Sequence, residues 1–284
     1  MKIVYSLPVH ERLDVVINTI ENIKKYSPSA CIVLHVSTGF IDFDSNAFAR
    51  YDYVYINPAR HPFLWGESLL NIHHSNYRYA KSVIGDFTHI CLFSSNQLFV
   101  CSGFDVHVNN FQAGVQMLPF PKYYKRMLSA SPLFKAFMGK NGLKAYYKGH
   151  WEGAFFSKGL FEKIDSAIAE FFLIDGLKLH LEEFVYPMLV AKYCRGSQVS
   201  SPGCYMDIGL HRGLRPLNIE LIDAIVIRST KLKLSGSIRA SKLDNLMRIL
   251  SGRTRIYRNV NDLFMVKRVS RDTQDPLRQY INNL

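Results

Sequence analysis

An α/β fold built on a mainly parallel sheet is the fold class this 284-residue sequence predicts, and three observations carry that prediction. Short apolar runs alternate with segments of helical period through the first hundred residues. The connections between them are short, which makes neighbouring strands parallel and places helices on the sheet faces. Hydrophobic residues make up 48% and charged residues 20% of the chain, enough for a sizeable core and unlike a disordered sequence.

In chain order, Ile3–Leu7 reads as a strand stopped by Pro8. From Glu11 to Tyr26, Leu13, Val16, Ile17, Ile20 and Ile23 fall on one helical stripe. Pro28 ends that helix, and Cys31–Val36 is the second strand. Tyr53–Ile56 is the third, closed by Asn57 and Pro58. A helix over Ser68–Ile84 and a fourth strand over Thr88–Phe93 complete the regular part. Residues 109–150 mix Pro, Gly, Lys and Tyr and predict long loops over the sheet. Gly159–Phe172 reads as a helix, and another starts near Glu182 with Pro187 close to its beginning. A strand at Ala224–Ile227, a helix at Ser241–Leu250, a strand at Leu263–Val269 and a short helix after Pro276 follow. Without repeats or an obvious linker, residues 1–284 are expected to form one domain.

The formal net charge is +12, and the excess is concentrated. Between Arg228 and Arg271 stand twelve Lys or Arg against two Asp, a local charge of +10. Such a block suits an anionic partner, although a solvated basic surface without a ligand explains it equally well. Five cysteines, odd in number and without a C-x-x-C pair, suit a reducing compartment. The N-terminal residues run straight into a strand and lack a signal-peptide pattern, and no apolar run approaches the ~20 residues of a membrane span. The expected location is cytoplasmic, with peripheral contact to the inner membrane through the basic section.

Several chemistries are excluded by missing motifs. The sequence has no G-x-G-x-x-G after the first strand, no phosphate-binding G-x-x-x-x-G-K loop and no G-x-S-x-G elbow. None of the ten histidines pairs at the H-x-x-x-H spacing that places two metal ligands on one helical face; His73 and His74 are adjacent and diverge. Asp42-Phe43-Asp44 has the form of a cation-binding D-x-D but follows the second strand, where a solvated acidic loop is the simpler reading. RNA-binding and zinc-finger patterns are absent too, so no nucleic-acid partner is expected.

More informative is the end of the fourth strand, "HICLFSSNQLFV", where a buried strand runs into the neutral polar tip Ser94–Gln97. Two later stretches, "KGHWEGAFFSKGLF" and "LEEFVYPML", offer an aromatic platform at Trp151 and an acidic pair, Glu182 and Glu183, opening a helix. Carboxylates in a first helical turn also complement the helix dipole, so from these residues alone capping is a better reading of that pair than catalysis. Trp151 is equally readable as a core aromatic.

Taken in order, these segments resemble the core-2/I-branching N-acetylglucosaminyltransferase and peptide xylosyltransferase family, glycosyltransferases of GT-A type. The similarity covers roughly residues 1–190: "YSLPVHERLDVV", then "CIVLHVS", "LWGESLLNIHHSNYRYA", "CLFSSNQLF", "KGHWEGAFFSKGLF" and "LEEFVYPML". Ser37 stands where the family has an aspartate, Glu182-Glu183 where it has Asp-Glu, and the fourth-strand tip lacks the family's Asp.

The resemblance implies a GT-A-like domain with a nucleotide-binding half (1–110), an acceptor half (111–222) and a basic C-terminal section (223–284). It implies an inverting transfer of a hexosyl or N-acetylhexosaminyl group from a nucleotide sugar, UDP-linked by expectation, to a saccharide or lipid-linked saccharide in bacterial surface-polysaccharide synthesis. No metal or other cofactor is expected, because cationic side chains would stabilise the leaving diphosphate. Donor contacts are expected from His10, Arg12, Ser37, Ser95, Asn96, Gln97, Lys267 and Arg268, with Arg271 and Arg278 as weaker candidates. Trp151 and Glu152 are expected on the acceptor side, Glu183 as the base and Glu182 as its fallback. A non-catalytic basic protein that binds nucleic acid or an acidic glycan, and a transferase fold without activity, are the alternatives.

Overall fold

The computed structural model describes residues 2–62, 68–119, 122–169, 180–206, 217–230 and 263–284. Its centre is a seven-stranded sheet. Strand β1 is Ile3–Val9, β2 Ala30–Val36, β3 Val54–Asn57 and β4 His89–Leu92. Three short strands extend it: β6 Ala113–Gly114, β9 Phe155–Ser157 and β10 Val199–Ser200, with β5 Gln97–Phe99, β7 Leu118–Pro119 and β8 Tyr147–Lys148 lying outside it. The order is β10-β6-β9-β4-β1-β2-β3, and β9 alone among the seven runs antiparallel to its neighbours. The mainly parallel α/β architecture expected from the sequence is therefore present.

β1 and β2 are buried along their whole length, as central parallel strands with both faces covered must be. Alternate residues divide between two apolar clusters. Tyr5, Leu7 and Val9 join Val16, Ile20 and Ile23 of helix α1 (Leu13–Tyr26) on one face. Val4 and Val33 join helices α2 (Ser68–Val83), α6 (Lys158–Ile168) and α7 (Glu182–Tyr193) on the other.

Pro8 does not stop β1, contrary to expectation. The Ser6 carbonyl accepts from the Phe93 amide at 3.0 Å, so two residues on, Pro8 turns its nitrogen to that same side. There β4 has ended, its last pair being Ser6 with Leu92, and the missing N–H costs no ladder bond.

Two further expectations are corrected. Residues 109–150, which follow helix α3 (Phe104–Val108), contain helices α4 (Lys122–Ala130) and α5 (Pro132–Lys140) rather than long loops alone. The signal was present: Ser131 caps α5 by accepting from the Phe134 amide at 3.2 Å, and Pro132 occupies its first turn. Ala224–Ile227 lies within helix α8 (Ile219–Thr230), whose buried Leu221, Ile222 and Ile225 recur at helical spacing. The helix expected at 241–250 and most of the basic block lie outside the described residues.

A three-stranded sheet, β11 (Cys204–Met206), β12 (Met265–Lys267) and β5, packs beside the main one. The chain closes with helix α9 (Pro276–Asn282), capped by Asp275. No helix among the described residues is long and apolar enough to cross a membrane.

Candidate functional site

In an open parallel sheet, ligands gather outside the carboxyl ends of the strands where the strand order reverses. Here that point lies between β1 and β4: the chain runs β1, β2, β3 outward and then returns to the other side of β1. A cavity of about 290 Å³ opens there, lined by His10 after β1, by Ser94, Ser95 and Asn96 after β4, and by residues of three later segments.

The first of these later segments reaches the cavity because of a proline. Pro187 has no N–H to offer the carbonyl four residues earlier, so Glu183 is left with an acceptor that α7 cannot satisfy. The Gly149 amide takes it at 2.8 Å. Only glycine fits this approach, since a Cβ at 149 would come within 1.9 Å of the Gln116 carbonyl oxygen. This contact draws the chain around 148–152 against α7. Lys148 then lies 3.1 Å from one Glu183 carboxylate oxygen and His150 3.4 Å from the other.

The second segment arrives through β12. Its antiparallel register sets Lys267 opposite Gln97, and the amides of Arg268 and Val269 both donate to the Asn96 carbonyl, at 3.1 and 3.0 Å. Arg268 is held at φ 75°, a left-handed conformation rare for a non-glycine residue and characteristic of functional sites. Lys267 pairs with Glu152 and sits over the Trp151 ring at 5.1 Å, while Arg271 pairs with Glu11. Of the three cations lining the cavity, Arg268 alone has no carboxylate partner among the described residues.

The third segment supplies His180 at the cavity wall, with Glu182 behind it. Glu182 is fully buried, and burial pushes its carboxyl up to about 7 despite His180 Nδ1 at 3.3 Å. Contact with Glu182 in turn raises the imidazole above its ordinary value. Glu183 goes the other way. Burial alone would raise it, but His150 and Lys148 outweigh that and hold it below the ordinary carboxylate value.

The sequence-derived candidates thus separate. Lys267, Arg268, Arg271, Ser95, Asn96, Trp151, Glu152, Glu183 and His10 line the cavity together. Trp151 is only 6% exposed and packs on His73 at 4.8 Å, so most of its ring belongs to the core. Arg12 lines an adjoining hollow of about 490 Å³ between the ends of β1 and β2, which His10 and Asp42 share.

Four candidates line neither space. Gln97 is buried with its amide nitrogen on the Met265 sulfur at 3.1 Å. Ser37 is buried at the end of β2 and lines neither space. Glu182 stands behind His180. Arg278, fully buried, supports the tip from beneath by donating to the Ser95 carbonyl at 3.3 Å and to Asn18.

Sequence reasoning missed His150 and His180, whose only signal is their placement beside the Trp151 and Glu182 motifs. Asp44 caps a 3-10 turn by accepting from the Asn46 amide, which fits the acidic-loop reading of Asp42–Asp44. No group of three metal-binding side chains occurs among the described residues.

No protein-family model matches this chain, and no curated protein matches its sequence. Among solved structures it is similar to an active-site mutant of LgtC, at 10% identity and a TM-score of 0.43 over 100% of this chain and 94% of that one. It is similar also to the galactosyltransferase LgtC in complex with donor and acceptor sugar analogues, at 9% identity and a TM-score of 0.43 over the same shares. Likeness of this degree says nothing about substrate or mechanism.

Proposed function

We propose that this protein is a GT-A-like glycosyltransferase that binds a nucleotide sugar at the switch point of its sheet and transfers the sugar, with inversion and without a divalent metal, to a saccharide hydroxyl. The observation that carries this reading is the cavity itself. A neutral tip, Ser94–Asn96, lines one space together with Arg268, Lys267 and Arg271 and with the carboxylates of Glu152 and Glu183. Departure of a nucleoside diphosphate builds negative charge on phosphate oxygens, and a cation fixed before the reaction stabilises that charge without reorganising. Arg268, without a carboxylate partner among the described residues and held at Asn96 by its own amide and that of Val269, is the side chain best placed to do so.

The hollow beside Arg12 and Asp42 extends the cavity toward β2 and gives the nucleoside a place to lie. Ser95, Asn96 and Glu152 would hydrogen-bond sugar hydroxyls. A lipid-linked acceptor in surface-polysaccharide synthesis, held near an anionic membrane by the basic block, is the acceptor class that suits the chain's charge.

The test is a thermal-shift screen against UDP, GDP, CMP and TDP with EDTA present. One nucleotide is expected to raise the melting temperature, because a ligand that binds only the native state stabilises it. No shift with any of the four would remove the reading.

A further inference from the structure

We propose that Arg278 is a positioning residue for the site of the departing diphosphate: its guanidinium clamps the tip after β4 to the arm after β12, and so fixes where Arg268 stands. This inference rests on the transferase reading and names what holds that reading's cation in place.

Arg278 reaches the site through helix α9. Asp275 caps that helix by accepting from the Leu277 and Arg278 amides at 3.0 and 3.1 Å, and Pro276 stands in the first turn, where a missing N–H costs nothing. Three residues after Arg278, on the same helical face, Ile281 is buried in the cluster that α1 forms with one face of the sheet. The helix therefore turns Arg278 inward, and the residue is fully buried.

A buried guanidinium is costly unless its donors are met. Here each of its three nitrogens has an acceptor. Nε donates to the Ser270 carbonyl at 2.8 Å, one terminal nitrogen to the Ser95 carbonyl at 3.3 Å, and the other to the Asn18 side chain. Burial pulls its proton affinity down, and Glu11, Asp14 and Asp275 pull it partly back. The group stays charged at any working pH. It does not line the cavity, so its charge is spent on the protein's own carbonyls.

Those carbonyls flank the contact that holds Arg268. Ser95 precedes Asn96, whose carbonyl receives the Arg268 and Val269 amides, and Ser270 follows Val269. The ladder between β5 and β12 has its last pair at Gln97 and Lys267, so beyond it the tip and the arm are joined through Asn96 and through Arg278. Thr19 Oγ1 adds a second donor to the Ser95 carbonyl at 3.1 Å. A left-handed backbone at a residue other than glycine persists only where its surroundings over-determine it. For Arg268, at φ 75°, the clamp supplies that constraint from both sides. Further along the arm, Thr273 donates to Asp14 at 3.0 Å and Arg271 pairs with Glu11.

Lysine cannot take this place. Its donors radiate from one point, whereas Ser95, Ser270 and Asn18 surround a planar fork. Arg278→Lys thus keeps the charge and loses the clamp.

The experiment reads that variant in two ways. In NMR spectra, the backbone carbon shifts and HN–Hα coupling of Arg268, which report φ, should move from left-handed values toward conformational averaging, while those of β1 and β2 hold. Calorimetry in EDTA should show UDP, or whichever of GDP, CMP and TDP stabilises the protein in its place, bound about tenfold more weakly, the loss of one charge-assisted hydrogen bond. If Arg278 acts through Arg268, the two losses do not add. Arg268→Ala should weaken nucleotide binding at least about tenfold in the wild type and less than about threefold in Arg278→Lys.

An Arg268 signature that Arg278→Lys leaves unmoved, or two losses of affinity that add, would overturn the assignment and leave the transferase intact. Should the lysine variant not fold, Asn18→Ala removes one acceptor of the guanidinium at a residue that lines neither space. Its loss of nucleotide affinity, about threefold for one hydrogen bond, should vanish when residue 268 is already Ala, and an unaltered affinity would overturn the assignment too. A wild type that binds none of the four nucleotides would instead remove the transferase reading, and the Arg268 signature would still show whether Arg278 holds the arm.

Discussion

Replacing Glu182 by Gln is expected to stabilise the protein at pH 8 while leaving it nearly unchanged at pH 4.5. In the unfolded chain the carboxyl ionises near its ordinary 4.5, whereas in the folded protein burial delays ionisation to about 7. Between those values the native state holds one more proton than the unfolded state, so stability falls as pH rises through that window and is lowest above it. At about 1.4 kcal/mol per pH unit, the full loss is about 3 kcal/mol. His180 acts with the same sign, since contact with Glu182 raises it above 6.5 and its contribution is lost as pH rises through the folded value.

Gln keeps the size and polarity of the protonated acid and has no such titration. Urea denaturation of both proteins from pH 4.5 to 8 should therefore show a difference near zero at the acid end and about 3 kcal/mol in favour of Gln at the other. A pH-independent difference, or a less stable variant at pH 8, would refute the reasoning, because it would mean that Glu182 is solvated or satisfied by another donor.

Two further substitutions separate positioning from folding. Arg268→Gly relieves the left-handed backbone at φ 75° while removing the cavity cation that has no carboxylate partner among the described residues. Its stability should hold or rise by up to about 1 kcal/mol as UDP binding weakens at least tenfold by calorimetry, which is the loss of one charge-assisted hydrogen bond. Gly149→Ala forces a Cβ to within 1.9 Å of the Gln116 carbonyl and breaks the amide contact to Glu183. Denaturant melts should show about 1–3 kcal/mol of destabilisation, the ordinary cost of overpacking.

Much of the fold was legible because it is written in local period. The strands at 3–9, 30–36, 54–57 and 89–92 and the helices at 13–26 and 68–83 match the apolar pattern to within two residues or so at their ends. The failures have particular causes. Pro8 was read as a strand stop, and only the early end of β4 reveals that its nitrogen needs no partner. Ala224–Ile227 was read as a strand because its β-branched run is short, and the flanking Leu221 and Ile222 that set the helical spacing were left out. Residues 122–140 were read as loop because Pro and Gly outweighed the Ser131-Pro132 start signal.

The site was legible in its parts and not in its couplings. That Pro187 frees the Glu183 carbonyl can be read from spacing alone; that Gly149 fills it cannot, because 34 residues and a sheet crossing separate the two. The same holds for Glu183. Sequence gives a carboxylate at a helix start, and only the folded chain shows Lys148 and His150, from the segment at the end of β8, closing on it.

The central claim is that this cavity takes a nucleotide sugar and that fixed side-chain cations replace a metal in expelling its diphosphate. The most direct measurement is release of nucleoside diphosphate from the sugar nucleotide whose base stabilises the protein, assayed with excess EDTA in wild type and Arg268→Ala. The account predicts undiminished turnover of the wild type in EDTA and a fall of at least about tenfold on losing Arg268. Activity that EDTA abolishes and Mn²⁺ restores, or that is indifferent to Arg268, would contradict it.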